Sequence, residues 1–136
     1  MMATMRGRWS GTMIDTEGIT RRVDLDLDEE DRAISGIVTL TAVSTDVSES
    51  KEGRLQGVMG YSDTGPRAED RSDNVQLIFQ FDSGTELELN GRYAPAGVHA
   101  EAAMFGTYRF LSQGDEQGFE GVVILWRYRE PLQQGG

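Results

Sequence analysis

Apolar and polar residues alternate one by one through most of this chain of 136 residues. The pattern is clearest in 75–81 (VQLIFQF) and 87–93 (LELNGRY), where every second position from the first is occupied by an apolar residue or a glycine. A period of two residues places alternate side chains on opposite faces of a β-strand, whereas an amphipathic helix repeats every three to four. No segment has a convincing helical stripe. The sequence therefore predicts an all-β domain in which each strand has one apolar face.

Clusters of Asp, Ser, Gly and Pro separate the alternating segments, as turns do between strands. The short clusters are Asp15–Gly18, Asp28–Asp31, Asp82–Thr85 and Ala94–Gly97. Longer polar connections fall near 44–50 and 62–73, and an intermediate one near 112–117. We expect strands near 7–15, 19–27, 33–43, 52–61, 74–81, 86–93, 100–111 and 118–129. They form one domain over 1–136, with flexible tails at 1–6 and 130–136.

Glycines recur inside the predicted strands, at positions that share the parity of the core-facing residues. They are Gly11, Gly36, Gly57, Gly91, Gly106 and Gly121. Glycine is needed in a strand where the backbone bends sharply or approaches another group closely, and strands coiling around a small barrel need such bends. Closing a sheet into a barrel also removes its two exposed edges. We therefore predict an eight-stranded antiparallel up-and-down β-barrel, with a β-sandwich as the alternative.

The composition excludes several classes of function. With 23 acidic residues against 13 basic ones, a net charge of −10 argues against a nucleic-acid or anionic-membrane partner. The absence of cysteine and the single histidine, His99, argue against thiolate chemistry and against a metal site, so we expect no cofactor. No apolar run is long enough to span a bilayer. The N-terminus lacks the apolar stretch of a secretory signal, and we expect a cytoplasmic location.

The first predicted strand contains 7–12 (GRWSGT) and the last contains 123–128 (VILWRY). These segments resemble the pattern of the calycins, the lipocalins and avidins. The resemblance implies a calycin-like barrel whose closed end holds the tryptophan of the first strand under a basic residue of the last. Trp9 and Arg127 match these two positions, and a guanidinium over an indole is favourable by about 0.5–2 kcal/mol. The match covers the architecture of the whole chain, but its motif covers these two strands only.

An inward-facing Trp9 fixes the parity of the other strands and gives an interior of hydrocarbon and aromatic groups. Only Asp15, Arg21 and Arg127 are inward charges. Asp15 and Arg21 flank one hairpin turn, where they either orient a polar group of a ligand or form an ordinary ion pair. Eight strands either fill the interior or leave room for one small ligand; we expect a cavity, with a packed core as the alternative. Its expected lining is Met13, Asp15, Arg21, Leu40, Met59, Phe79, Phe81, Leu87, Met104, Phe110 and Phe119.

A lumen of this kind favours a cofactor-free cyclase that closes a ring within a polyene or polyketide precursor by cycloaddition. Holding a flexible substrate in its reactive conformation contributes about 7–11 kcal/mol. At the level of the fold, the chain resembles the small cytosolic barrel cyclases of polyketide pathways, including the spirotetronate type. Tyr108, Tyr93 and Tyr61 are candidate hydrogen-bond donors to a substrate carbonyl. The alternatives are a non-catalytic carrier or sensor of a hydrophobic molecule, and a structural or interaction module with a packed barrel.

The same parity turns four large apolar residues of the last strand outward. They are Val122, Ile124, Trp126 and Tyr128. Monomers rarely expose so large an apolar patch, so we expect a homodimer through the outer face of this strand. The alternative is a shift of the last strand by one residue, which would move all four side chains inside.

Overall fold

The computed structural model describes residues 5–42, 50–60, 74–94, 101–114 and 120–128, and no helix occurs within these ranges. Its eight strands are β1 (Gly7–Asp15), β2 (Thr20–Glu30), β3 (Ala33–Ala42), β4 (Ser50–Gly60), β5 (Asn74–Phe81), β6 (Glu86–Ala94), β7 (Ala103–Ser112) and β8 (Gly121–Arg127). Each strand pairs antiparallel with the next, and β8 pairs with β1 to close the barrel. The predicted all-β, up-and-down barrel is confirmed.

The β2–β3 hairpin is longer than the sequence predicts. A turn was expected at Asp28–Asp31, but pairing continues to Glu30 opposite Ala33. The chain reverses at Asp31 and Arg32, whose φ angles are 50° and 74°. Two consecutive left-handed residues are typical of a type I′ turn, which usually has the sequence Asn-Gly. Because neither residue is a glycine, the sequence does not signal the turn, and the prediction placed it too early.

The strand glycines lie where neighbouring backbones approach each other most closely. At Gly11, an added Cβ would lie 1.8 Å from the carbonyl oxygen of Ile124 on β8. At Gly106, it would lie 2.1 Å from the carbonyl oxygen of Asn90 on β6. The predicted close approach is therefore confirmed. Since a neighbouring backbone occupies the space beside each of these glycines, they permit the strands to coil tightly and do not enlarge the lumen.

Inward side chains of all eight strands form one hydrophobic cluster. Met5 joins it and is completely buried, although it lies in the segment expected to be a flexible tail. Its backbone N–H donates to Oε1 of Glu29 (2.9 Å), and its carbonyl accepts a hydrogen bond from Nε1 of Trp9 (2.9 Å). Met5 is therefore anchored to the barrel. The other residues of the two expected tails, apart from Arg6, lie outside the described ranges.

The last strand has the register that turns its large apolar residues outward. Val122 pairs with Ile14 of β1, and Ile124 pairs with Thr12. The outward residues Val122, Ile124 and Trp126 are between 44% and 56% exposed, whereas Val123 and Leu125 between them are buried. The alternative of a strand shifted by one residue is therefore excluded.

Candidate functional site

One end of the barrel is organised around Trp9 of β1, and we call it the Trp9 end. Trp9 and Arg127 are partners across the β1–β8 pairing, and the guanidinium carbon of Arg127 lies 5.6 Å from the centre of the indole ring. The ring of Tyr93 packs against the indole edge-to-face, with 6.1 Å between ring centres. This is the arrangement that the calycin resemblance implies. These contacts connect the first and last strands and tie β6 to them at this end of the barrel.

The opposite end, which we call the Tyr108 end, contains buried polar groups from three strands. Asp15 ends β1, Arg21 lies at the start of β2, and Tyr108 belongs to β7. Their exposed fractions are 4%, 5% and 2%. Gly121 of β8 pairs with Asp15 on one side and with Tyr108 on the other, so Asp15, Gly121 and Tyr108 form a row across the sheet. The closure of the barrel thus brings together side chains that are far apart in the sequence.

Asp15 stabilises the β1–β2 turn. Its Oδ1 accepts hydrogen bonds from the backbone N–H groups of Glu17 and Ile19, both at 2.8 Å. This is the usual role of an aspartate at the start of a tight turn. A ligand contact and an ion pair with Arg21 were the two roles predicted for Asp15, although the Asp-Thr-Glu-Gly sequence of the turn is a signal for this third role.

The hydroxyl of Tyr108 has no hydrogen-bond partner among the described residues. Burial raises the pKa of this phenol above its ordinary value; the positive charge of Arg21 and its side-chain contact with the phenol oppose the rise, and the negative charge of Asp15 adds to it. Tyr108 therefore keeps its proton near neutral pH and is available as a donor. The Nη1 atom of Arg21 also lacks an acceptor there, although Arg21 has partners through its other groups.

Phe110 of β7 positions both of these donors. The guanidinium carbon of Arg21 lies 5.8 Å from the centre of the Phe110 ring. The ring of Tyr108 packs against the same ring edge-to-face, with 6.4 Å between centres and 76° between planes. A cation over an aromatic face and an edge-to-face ring pair are both favourable contacts. They hold the phenol and the guanidinium near each other inside an otherwise apolar lumen.

The described apolar residues of the predicted lining are spread along the length of the barrel, within its one hydrophobic cluster. Met104 pairs with Tyr93, and Met59 pairs with Val75, so both lie towards the Trp9 end. The Tyr108 end contains a second group of buried apolar side chains, namely Leu40, Phe81 and Leu87. Met13 and Phe79 are completely buried and belong to the one hydrophobic cluster of the barrel. Tyr61, Phe119, His99 and the connection 62–73 lie outside the described residues.

Two of the pockets lined by described residues lie on the outer face of the sheet. One, of about 610 Å³, lies between outward side chains of β4 to β7, including Val58 and Phe105. Another, of about 320 Å³, lies beside the last β7–β8 pair, with Tyr108 and Gly121 among the residues that line it.

No protein family matches the chain, and neither a curated protein nor a solved structure matches it. Within the described ranges, no group of three or more His, Cys, Asp or Glu side chains could hold a metal ion. A helix long and apolar enough to cross a membrane is likewise not found in this part of the chain. The geometry of the Tyr108 end is therefore the basis for proposing a function.

Proposed function

We propose that the barrel encloses an apolar small molecule whose polar atom lies at the Tyr108 end. The observation that carries this proposal is the buried Tyr108 hydroxyl, which has no hydrogen-bond partner among the described residues. A buried polar group without a partner costs about 1–3 kcal/mol, and native proteins retain few of them. An acceptor atom on a ligand would supply the missing partner. The surrounding apolar side chains would contact the rest of the molecule, as in most small-molecule sites.

Ring closure of a bound polyene or polyketide is the catalytic form of this proposal. It is favoured by the protonated state of Tyr108, because a donor to a conjugated carbonyl withdraws electron density from the double bonds that react. The rigid aromatic groups around the phenol would hold the chain in a folded conformation. The fold-level resemblance to small barrel cyclases agrees with this reaction. A carrier or sensor would use the same contacts and release the molecule unchanged.

Native mass spectrometry of the purified protein, together with one pair of variants, tests the enclosure. Leu40 faces the lumen and is 3% exposed, while Ile37 on the same strand faces outward and is 45% exposed. We expect a bound lipophile in the parent protein. Leu40→Trp should weaken its binding about tenfold or more, because the indole takes its space, and Ile37→Trp should leave binding unchanged.

Circular dichroism checks that both variants fold, and Leu40→Phe replaces Leu40→Trp if the latter does not. A protein that carries no lipophile and binds none would contradict the proposal and favour the packed structural module. To separate a cyclase from a carrier, the protein is incubated with linear polyene ketones. Cycloaddition removes diene absorbance without changing the mass of the compound, whereas a carrier leaves both unchanged.

We also propose a homodimer through the outer face of β8. The outward positions of β1 and β8 carry no acidic residue, and Arg8 is the single charged residue among those positions within the two strands. On a chain with a net charge of −10, such a face brings two copies together with the least repulsion. All eight strands are already paired on both sides. The contact would therefore be between side chains of two sheet faces, and not between strand edges.

A further inference from the structure

We infer that the atom held by Tyr108 is the neutral carbonyl oxygen of a ketone or ester, and not a carboxylate. This inference rests on the proposed function, since it names the chemistry of the polar group that an enclosed molecule would present. Two features of the Tyr108 end lead to it: the balance of buried charge and the donor character of the phenol.

The buried charges at this end already balance. Among the described residues, Asp15 and Arg21 are the buried charged side chains, one negative and one positive. The carboxylate of a ligand would add a second negative charge to a site that holds a single positive one. Removing an unbalanced charge from water is costly in a protein interior. A carbonyl oxygen accepts a hydrogen bond and adds no net charge.

Asp15 lies beside Tyr108 in the sheet, since the two residues flank Gly121 in one row, with no side chain between them in that row. Arg21 and Asp15 act on the phenol in opposite directions: the positive charge of Arg21 lowers its pKa, and the negative charge of Asp15 raises it by less. A ligand carboxylate would disturb this balance, whereas a neutral carbonyl oxygen would keep it.

Tyr108 offers a donor to this site, so its ligand must offer an acceptor. The phenol is protonated near neutral pH, since burial raises its pKa. A carbonyl oxygen accepts this hydrogen bond and has no proton of its own to place.

Three probes of similar shape test the inference by isothermal titration calorimetry near neutral pH. Benzylideneacetone carries a ketone, cinnamate carries a carboxylate, and β-methylstyrene carries neither. We expect the ketone to bind about tenfold more tightly than the hydrocarbon and the carboxylate. In Tyr108→Phe, the advantage of the ketone over the hydrocarbon should disappear while hydrocarbon binding is retained. Tyr93→Phe, at the Trp9 end, is the matched control and should keep the advantage.

The infrared carbonyl band of the bound ketone gives a second readout that a purely structural role would not move. It should shift to lower wavenumber in the parent protein and return in Tyr108→Phe. Tightest binding of cinnamate, or equal binding of ketone and hydrocarbon, would overturn the inference. Either result would still support the proposal that the barrel encloses a small molecule. If none of the three probes binds and no lipophile co-purifies, both the inference and the proposed function are wrong.

Discussion

Trp9 and Tyr108 lie at opposite ends of the barrel, and each has one polar group on its ring. They differ in whether this polar group has a hydrogen-bond partner. At the Trp9 end, the indole N–H donates to the carbonyl of Met5 at 2.9 Å. At the other end, the Tyr108 hydroxyl finds no partner in the described part of the chain. Both rings are at least 98% buried. The polar group of Trp9 is therefore satisfied within the protein, whereas the hydroxyl of Tyr108 carries a cost that a ligand would remove.

The burial of the Tyr108 phenol predicts how the free energy of unfolding depends on pH. Burial raises the pKa of folded Tyr108 above its ordinary value of 10.0, so the unfolded state loses this proton first as the pH rises. Below about pH 9, the phenol is protonated in both states and contributes no pH dependence. Above that, the free energy of unfolding should fall as the pH approaches the pKa of the folded state.

Tyr108→Phe should remove this fall and raise the free energy of unfolding near neutral pH by about 1 kcal/mol, because the unpaired hydroxyl is gone. Urea unfolding followed by circular dichroism, from neutral to alkaline pH, measures both effects. Tyr93→Phe serves as the control and should keep the alkaline fall. An equal fall in the parent protein and in Tyr108→Phe would show that this phenol is not the group responsible.

At the scale of the strands, close approach between backbones determines where glycine must occur. Seven strand glycines, the six that the sequence singles out and Gly53, have a carbonyl oxygen of a neighbouring strand between 1.8 and 2.6 Å from the position of an added Cβ. The parity of those six glycines was visible in the sequence and led to the prediction of a closed barrel. The position of the β2–β3 turn was predicted too early, because Asp31 and Arg32 take left-handed conformations without the Asn-Gly sequence that usually marks such a turn.

Gly11→Ala is expected to lower the free energy of unfolding by about 3 kcal/mol or more, because its Cβ would lie 1.8 Å from the carbonyl oxygen of Ile124 and the backbone must move. The matched control is Gly18→Ala, in a turn where no atom lies within 4 Å of the added Cβ. Gly18 has a φ of 87°, so it should lose only about 1 kcal/mol from backbone conformation. Urea unfolding compares the two, and equal losses would contradict a role for Gly11 in barrel closure.

For the association of whole molecules, the arrangement of charge on the surface matters more than the net charge of −10. Acidic side chains point outward along β2, as Asp24, Asp26 and Asp28, while the outer face of β8 is apolar. Trp126 is 50% exposed and Val122 is 56% exposed on that face. An apolar area of this kind on an otherwise acidic surface is typical of an interface, and a second copy of the chain is the partner that we propose.

Sedimentation velocity at micromolar concentration tests this interface. The parent protein should sediment as a dimer, and Trp126→Glu should weaken the dimer about thirtyfold or more, because it places a charge at the centre of the contact. Ile37→Glu changes an equally exposed apolar residue of β3, outside the proposed interface, and should leave the dimer intact. A parent protein that sediments as a monomer would contradict the proposal.

The sequence by itself determined the eight strands, the inward and outward parity of their side chains, and the pairing of Trp9 with Arg127. The strands and their parity follow from a two-residue period and from turn residues, which are local signals, whereas the pairing of Trp9 with Arg127 was implied by the resemblance to the calycins. The sequence also named Tyr108, Asp15 and Arg21, but it could not separate Tyr108 from Tyr93, since both lie on inward positions. Only the tertiary structure decided that Tyr93 packs on Trp9 while Tyr108 lies beside two buried charges. The reason is that burial and hydrogen-bond partners depend on the closure of β1 on β8, which brings residues from distant parts of the chain into one row.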